Sequence, residues 1–588
     1  MTSRRPVPRA RRAVLMAALC VLVALLTSCV TVPTAGPVRK IEGQQQTCQN
    51  CVDVEVAAPS PGDDPRQIVE GYLRATSNYQ PNYSVAKQFL TRAAAEKWSP
   101  EDGATIYRGS PTANGNKVTL NALKIGTLDD HRTYTARDTR FHVDFKVTKE
   151  DGEWRIGDPP RGLLIAKSAF TQFYSPYSVF FIGNGRLVPD AIYLPDLRSL
   201  SNIASVLMKA LLSGPSAWLG PAVTSGIPPN TALIGDAVTI SDGIATVPLN
   251  DPVLQLDDQQ RVAMAAQVMY TLREAVGIKG VLFTVNQQPL RVLVGDPVSF
   301  VVSADAIARD FGPIPPVAGD QLYVVRNGVV ATVDADSTSP KAQPVLGDLG
   351  EGRYQVNSLA VSTAHTAVAA VTKNRTELRW SQTATGEVHT VLPGVRNLLR
   401  PQFSGAGELW VVSGSGSDQR LWLLTADKRI KVSAEKVLGK GEVTAFRVSP
   451  DGSRIALIRK SGDRAQLGLA RISRAADKIT VDGWRPLNTT QTDQPHLTRL
   501  QDVAWIDPTE LLVLGSPFAS VALQPFRMSQ DASSLMAEGQ SKWDGRELAV
   551  LLPKQTVIAL DRNGQTYRDG GTEWTRFLGK VSTIAYPG

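Results

Sequence analysis

A two-strand pattern recurs through residues 315–588 and limits the folds open to that half of the chain. In each copy an apolar run ends in a small polar turn and is followed by a second apolar run. The clearest first runs end at Ser362, Ser404, Ser449 and Ile506, about 40 to 57 residues apart. That spacing is typical of propeller blades, which are sheets of about four strands. The pattern predicts an all-β propeller of about six blades over residues 315–588, with seven blades as the alternative.

The two ends of this region complement each other. Residues 321–333 predict an incomplete first blade, and residues 581–586 (VSTIAY) predict a single strand. If these segments pair, the ring closes and no sheet edge stays open. We therefore expect both ends of the propeller to lie in one blade. Within the region, the run SPDGSRIAL at residues 449–457 resembles a strand pair of TolB-like propellers.

The N-terminus carries the parts of an export signal in the correct order. Residues 1–12 are rich in arginine, and residues 13–26 (AVLMAALCVLVALL) are continuously apolar. The next stretch, Leu26-Thr27-Ser28-Cys29, resembles the lipobox of bacterial lipoproteins, in which the cysteine sulfur carries a diacylglycerol. The resemblance implies cleavage between Ser28 and Cys29 and a lipid anchor on Cys29 at the outer face of the cytoplasmic membrane. An uncleaved anchor is the alternative, and the choice between general and twin-arginine export stays open.

The charge of the chain argues against nucleic acid as a partner. The formal net charge is +8, but residues 1–28 contain five arginines and no acid. The remainder has 58 basic and 55 acidic side chains, a net charge of +3. This lacks the strong excess of positive charge that is typical of nucleic-acid-binding proteins. After the first thirty residues, no apolar run reaches the roughly 18 residues of a spanning helix, so we expect only the N-terminus to touch the membrane.

The cysteines and histidines predict neither a metal site nor a cofactor. Cys20 lies in the export signal and Cys29 in the lipobox, which leaves Cys48 and Cys51 as a C-x-x-C pair. Such a pair can be a local disulfide, a redox site or half of a zinc site. The polar linker and the oxidising compartment favour a dispensable disulfide between Cys48 and Cys51. Ligand spacing is absent among the five histidines, which are His131, His142, His365, His389 and His496.

Residues 29–64 predict a flexible tether, because they are rich in Gln, Pro, Gly and Asp. An α+β domain is predicted over residues 65–165, where two apolar helical stripes precede alternating strands and a turn at Asp151-Gly152. Helices followed by such a sheet resemble the cone-shaped NTF2-like domains, whose pockets are sometimes catalytic and often only structural. Asp130 and His131 are adjacent here, and we interpret them as a solvated turn rather than as a general base.

A second α+β domain is predicted over residues 175–300. It contains an apolar helix that ends at Gly214-Pro215, a strand after Asp242-Gly243, a second helix before Gly277 and a buried strand at residues 280–285. The stretches LLSGP, IPPNT and DGIATVPL within this order resemble the GerMN domain of a spore-germination lipoprotein. The resemblance implies a binding domain, with cell-wall glycan as a candidate ligand, rather than an enzyme.

The order of these parts, from lipobox and tether through two α+β domains to a propeller, resembles the LpqB-type lipoproteins of actinobacteria. The resemblance spans essentially the whole chain. It implies an accessory of the MtrA–MtrB two-component system that contacts the extracellular domain of the MtrB sensor kinase, with effects on cell-wall homeostasis and cell division. Only Cys29 carries over residue by residue, because the family supplies no catalytic motif.

Three kinds of function follow as hypotheses. The first is a signalling accessory of a sensor kinase. The second is an independent binder of cell-wall glycan or of a solute, and the third is an extracytoplasmic enzyme. No G-x-S-x-G, H-E-x-x-H or paired-carboxylate motif supports the third, so we predict no enzymatic activity and no catalytic residue.

Overall fold

The structure is a computed structural model that describes residues 56–588, apart from residue 198, residues 295–298, residues 426 and 440, residues 476–477 and residue 493. The predicted export signal, most of the predicted tether, and Ser28, Cys29, Cys48 and Cys51 lie outside the described residues. Within the part that the structure describes, no helix combines the length and apolar character that crossing a membrane requires.

In the part that the structure describes, the first domain combines four α-helices with a five-stranded sheet. Asp64 begins the first helix with a reciprocal cap: its side chain accepts the Gln67 N–H, and the Gln67 side chain accepts the Asp64 N–H. The sheet has the order β4-β3-β2-β1-β5, antiparallel except where β5 runs parallel to β1. The elements are α1 (Pro65–Ser77), α2 (Ser84–Gln88), α3 (Arg92–Lys97), β1 (Ala104–Asn114), β2 (Lys117–Leu128), β3 (Tyr134–Glu150), β4 (Glu153–Asp158), β5 (Leu163–Ala166) and α4 (Lys167–Phe173).

Local chemistry explains why these elements form. Ile68, Val69 and Tyr72 lie on one face of α1 and are fully buried, as their helical spacing predicts. The turn between β3 and β4 has φ values of 52° at Asp151 and 85° at Gly152, the left-handed conformation that a two-residue hairpin loop requires. The α+β class predicted for this region is confirmed.

The second domain combines a long hairpin, two main helices and a small mixed sheet. Its elements are β6 (Tyr174–Gly183), β7 (Arg186–Pro195), α5 (Leu200–Leu212), β8 (Thr239–Ser241), β9 (Ile244–Leu249), α6 (Asp258–Leu272), β10 (Gly280–Val285), β11 (Gln288–Pro289), β12 (Val301–Ser303) and α7 (Ala304–Phe311). The sheet has the order β11-β10-β9-β8, with β12 also paired to β10. The β6–β7 hairpin is a separate sheet that packs on α6. The predicted helices and the strand at 280–285 are present, whereas the sequence did not reveal this hairpin.

The third region is a ring of six four-stranded sheets, so the predicted six blades are confirmed and the alternative of seven is wrong. The first three blades are β13 (Leu322–Arg326), β14 (Val329–Val333) and β15 (Gln343–Pro344) with a strand from the C-terminus; β16 (Val356–Val361), β17 (Ala367–Thr372), β18 (Leu378–Gln382) and β19 (Val388–Leu392); and β20 (Gln402–Phe403), β21 (Leu409–Ser413), β22 (Arg420–Leu424) and β23 (Arg429–Lys431).

The last three blades follow a short helix, α8 (Glu435–Leu438). They are β24 (Glu442–Val448), β25 (Arg454–Ser461), β26 (Arg464–Ala475) and β27 (Lys478–Pro486); β28 (Arg499–Trp505), β29 (Glu510–Ser516), β30 (Gln524–Ser529) and β31 (Leu535–Ala537); and β32 (Gly545–Leu551), β33 (Thr556–Asp561), β34 (Thr566–Asp569) and β35 (Trp574–Arg576). The recurring pattern in the sequence corresponds to the first two strands of successive blades.

Serine side chains hold several of the turns that follow these strands. The Ser362 hydroxyl accepts the Ala367 N–H at 3.0 Å, and the Ser449 hydroxyl accepts the Arg454 N–H at 3.0 Å. Each bond spans five residues and fixes the reversal between the first and second strands of a blade. The recurring serines are therefore turn residues, since a hydroxyl in a tight turn satisfies backbone groups that the ladder leaves unpaired.

The last strand, β36 (Val581–Ala585), closes the ring. It pairs antiparallel with β13, so that the first blade has the order β15-β14-β13-β36 and takes one strand from each chain end. Ile584 lies opposite Val324, and both are fully buried. The predicted closure is therefore confirmed, and it pairs the edge of β13 that would otherwise stay open.

A charged network joins neighbouring blades near the first strands. The Asp502 carboxylate accepts bonds from Arg400 at 3.1 Å, from Arg447 at 3.4 Å and from the Leu548 N–H at 2.9 Å. Burial, with the nearby Arg400 charge, lowers the pKa of Arg447 to about 10. Glu547 accepts the Thr583 hydroxyl at 2.8 Å and so ties the network to the closing strand.

Candidate binding site at the junction of three domains

All three domains contribute to a cleft of about 1240 Å³. The first domain supplies the bulge of β1 and the helix α4, and the second domain supplies one face of the β6–β7 hairpin. The propeller supplies the turns around Thr509 and residues 529–536 of its fifth blade. Clefts for small ligands are typically about 300–1,000 Å³ and often lie between domains, so this cavity is the candidate binding site.

An aromatic cluster forms the floor of the cleft. The Phe170 ring, on α4, stacks on Tyr174 with centroids 5.5 Å apart and lies 5.1 Å from the Tyr193 ring. Tyr134, on β3, also stacks on Phe170, with centroids 5.8 Å apart. Tyr174 and Tyr193 point to the same face of the hairpin because they sit at alternating positions of paired strands. The cluster therefore joins the first and second domains beneath the cavity.

Tyr193 also links this floor to the propeller. Its hydroxyl donates to Asp531 at 3.0 Å and lies 2.5 Å from the Ser533 hydroxyl. Burial raises the pKa of Tyr193 well above its ordinary value, and the Asp531 charge adds to that effect. The phenol therefore stays protonated and acts as a fixed hydrogen-bond donor across the domain boundary.

Two carboxylates stand on the walls formed by the second domain and the propeller. Glu274 follows α6 and accepts the Ser178 N–H at 3.1 Å, and Glu510 accepts a bond from Arg527 at 3.1 Å. Burial raises the pKa of both carboxyls, and the nearby Asp507 charge raises it further. Each of these groups already has a structural partner, so neither is placed as a free general base.

A buried arginine fastens the propeller to the second domain. Arg454 is 1% exposed and bonds to Asp451 and Gln530 within the propeller. It also donates to the Pro189 carbonyl of the hairpin at 3.3 Å. Gly183 packs so closely on the same turn that a Cβ there would lie 2.2 Å from the Ser453 hydroxyl. The DGSR turn noted in the sequence is therefore a domain joint as well as a blade turn.

Arg454→Met should loosen this joint. The substitution keeps the volume but leaves the buried Asp451 carboxylate without its cation, a loss of about 3–5 kcal/mol for a broken buried pair. We expect a correspondingly lower free energy of unfolding in denaturant titration, and faster proteolysis at the hairpin. Arg420→Met, at an exposed position of the third blade, is the matched control. Equal stability of the two variants would contradict the assignment.

His131 and Asp130 line a second, smaller cavity of about 430 Å³ between the first two domains. Their side chains are 3.1 Å apart, and the hydrogen bond to Asp130 raises the pKa of His131. The pair lies in an exposed turn, which agrees with the solvated-loop interpretation. The neighbouring Ser216 donates to the buried Asp190 rather than to His131. Among the described residues, no group of three His, Cys, Asp or Glu side chains comes together as metal ligands.

The sequence did not reveal the three-domain cleft. Its residues lie far apart along the chain, since Tyr193 and Asp531 are separated by 338 positions. When each of these residues is considered alone in the sequence, it predicts a position in a hydrophobic core or in a turn. The only local signal was the cluster of polar turn residues at 529–534, which the blade pattern already accounted for.

Comparison with known proteins identifies the family. The family described as "Lipoprotein LpqB, N-terminal domain" matches residues 58–171, "Sporulation and spore germination" matches residues 178–291, and "Lipoprotein LpqB beta-propeller domain" matches residues 328–587. The chain is 30% identical over 599 aligned residues to Lipoprotein LpqB of Cutibacterium acnes, covering 98% of both chains. It is 28% identical to Lipoprotein LpqB of Streptomyces coelicolor, covering 84% of both.

These matches define a lipoprotein built from an N-terminal α+β domain, a germination-type domain and a propeller. The chain belongs to the Lipoprotein LpqB family, and as a member it is a membrane-anchored lipoprotein. Among solved structures, TolB from Acinetobacter baumannii overlaps with a TM-score of 0.34 at 15% identity, covering 57% of this chain and 86% of that one. That score is too low to add to the family assignment.

Proposed function

We propose that this lipoprotein is an accessory of a sensor kinase of the MtrB type, held on the extracytoplasmic face of the membrane. In this role it modulates the kinase and so influences cell-wall homeostasis and cell division. The observation that carries the proposal is the joint of three domains around one cleft, locked by Tyr193 and Arg454. Three domains joined in this way present large binding surfaces in fixed positions, and a lipid anchor would hold those surfaces at the membrane.

The proposal treats the protein as a binder and not as an enzyme. Catalysis needs a nucleophile or base that is free to act and a partner that orients it. In the described part of the cleft, Glu274, Glu510 and Asp531 each accept a structural hydrogen bond. The cleft therefore resembles a recognition site, which is the kind of site that the proposed binder needs.

Lipidation makes a weak contact with the kinase sufficient. A lipid anchor on Cys29 would confine the protein to the surface that carries the extracellular domain of the kinase. Confinement raises the effective concentration of each partner for the other, so modest intrinsic affinity gives substantial occupancy. A net charge near +3 without the export signal argues against docking by charge alone.

Cys29→Ala should therefore abolish lipidation and weaken signalling. We expect the variant to lose label from a fatty-acid analogue, because no sulfur remains to accept lipid. When the cells are crosslinked intact before the pull-down, kinase recovery should fall at least about tenfold, because the variant loses the concentration gain of the membrane surface. Cys20→Ala, within the predicted export signal, is the matched control. Undiminished label on the Cys29 variant would reject the lipobox assignment, and unchanged kinase recovery would reject the role of the anchor.

A second candidate function is an independent binder of cell-wall glycan or of a solute. The size and aromatic floor of the cleft favour it. The same pull-down separates the two, because glycan rather than a kinase would then dominate the recovered material.

A further inference from the structure

We infer that the three-domain cleft binds a neutral oligosaccharide. The inference rests on the proposed role as an extracytoplasmic binding protein and names the ligand class of its cleft. The charged side chains of the cleft lining already have partners within the protein, whereas several neutral polar side chains make no hydrogen bond within the described residues. The inference follows from this difference.

All five charged side chains of the lining have partners within the protein. Asp531 accepts from Tyr193, Glu510 pairs with Arg527, and Glu274 accepts a backbone N–H. Lys167 lies 5.6 Å from the centre of the Phe170 ring, and it and Arg108 each interact with another group as well. An anionic ligand would face three carboxylates, and a cationic ligand would compete with the hydrogen bonds and ion pairs that these carboxylates already make. The lining therefore favours a ligand without charge.

The neutral polar side chains of the lining show the opposite pattern. Five serine and glutamine side chains make no hydrogen bond to any residue that the structure describes, and they come from all three domains: Ser110, Ser168, Gln172, Ser178 and Ser534. Ser178 is the most informative, because its residue is 7% exposed and its side chain shares the cleft-facing side of the hairpin with Tyr193. Hydroxyls and an amide offer both donors and acceptors to a ligand that itself carries hydroxyls.

Apolar groups lie between these polar ones. Pro176 and Tyr177 stand at the hairpin wall, and Met536, 59% exposed, stands at the propeller wall. A sugar ring has an apolar face of C–H groups and an edge of hydroxyls, so it matches a lining of alternating apolar and neutral polar groups. The cavity of about 1240 Å³ exceeds the roughly 300–1,000 Å³ of most small-ligand sites, so it accommodates several rings rather than one.

Calorimetric titration of the full-length lipoprotein in nanodiscs tests the ligand class. The probes are neutral tetrasaccharides of glucose, mannose, galactose and N-acetylglucosamine, together with penta-alanine. We expect saturable binding of at least one tetrasaccharide below millimolar concentration, and at least about tenfold weaker binding of that sugar once amines or carboxylates are introduced. Failure of all four sugars, equal binding of the charged forms, or tighter binding of penta-alanine would overturn the inference.

A double variant locates the site. Gln172→Ala with Met536→Ala removes one neutral amide and one apolar contact at exposed positions, where the fold should tolerate the change. We expect at least about fivefold weaker binding of the sugar. The matched control, Gln355→Ala with Leu346→Ala, makes the same changes at exposed positions of the propeller away from the cleft. Equal effects of the two pairs would place the sugar elsewhere. Sugar binding without kinase binding would sustain this inference and reject the kinase role, and the reverse result would do the opposite.

Discussion

A chain that lacks residues 581–588 is expected to lose the fold of its propeller as one cooperative unit. The deletion removes β36 and leaves one side of β13 unpaired. It also removes Val581, Ile584 and Tyr586, each at most 4% exposed, and burial of each contributes about 1.5–3 kcal/mol. The sum of roughly 5–9 kcal/mol is comparable with the whole stability of a domain, about 5–15 kcal/mol. Circular dichroism during heating should show loss of the native transition.

A milder variant keeps this prediction testable if the shortened chain does not accumulate. Ile584→Ala leaves the ring closed but empties a fully buried position opposite Val324, at a cost of about 2–5 kcal/mol. Thr390→Ala, on the exposed outer strand of the second blade, is the control and should change stability by no more than about 0.5 kcal/mol. A deletion variant that melts at an unchanged temperature would show that the ring does not depend on β36.

Asp502→Ala should be among the most damaging single substitutions of the propeller's charged residues, comparable with Arg454→Met. Asp502 is 5% exposed and faces two guanidinium groups, those of Arg400 and Arg447. Without the carboxylate, the buried Arg447 loses its ion pair and Arg400 is left with the more distant Glu547, at 3.8 Å. Loss of one partner of a buried pair costs about 3–5 kcal/mol. We expect a loss of that size in the free energy of unfolding from denaturant titration.

The control for this variant is Asp463→Ala. Asp463 lies in an exposed turn of the fourth blade and makes no ion pair within the described part of the chain. Its substitution should be nearly neutral. If Asp502→Ala were equally neutral, the network around Asp502 would not be a structural cross-link between blades.

The propeller was predictable because each of its blades except the first is formed by residues that are close together in the sequence. Each blade repeats a buried strand, a polar turn and a second buried strand, so Ser362 and Ser449 mark blades without any knowledge of distant contacts. Closure was predictable by elimination, since the strand at residue 581 had no neighbour in sequence to pair with. The start of α5 at Leu200 could have been found from its cap, because the Ser199 side chain accepts the Asn202 N–H.

The cleft was not predictable, for a physical reason. Its walls come from α4, the β6–β7 hairpin and the fifth blade, and only the packed domains bring them together. Tyr193 illustrates this: its sequence neighbours predict a buried strand residue, and its hydroxyl finds Asp531 only across the domain boundary. Arg454 likewise belongs to a blade motif in the sequence. It connects two domains only because, in the folded protein, it donates a hydrogen bond to the Pro189 carbonyl of the hairpin.

Titration of the purified kinase extracellular domain against the full-length lipoprotein in nanodiscs is the decisive test of the proposed kinase role. We expect saturable, direct binding of modest affinity, in the micromolar range. We also expect high salt to weaken the contact little, because the net charge near +3 argues against docking by charge alone. No detectable binding at high micromolar concentration, together with normal kinase output in cells that carry Cys29→Ala, would contradict the account.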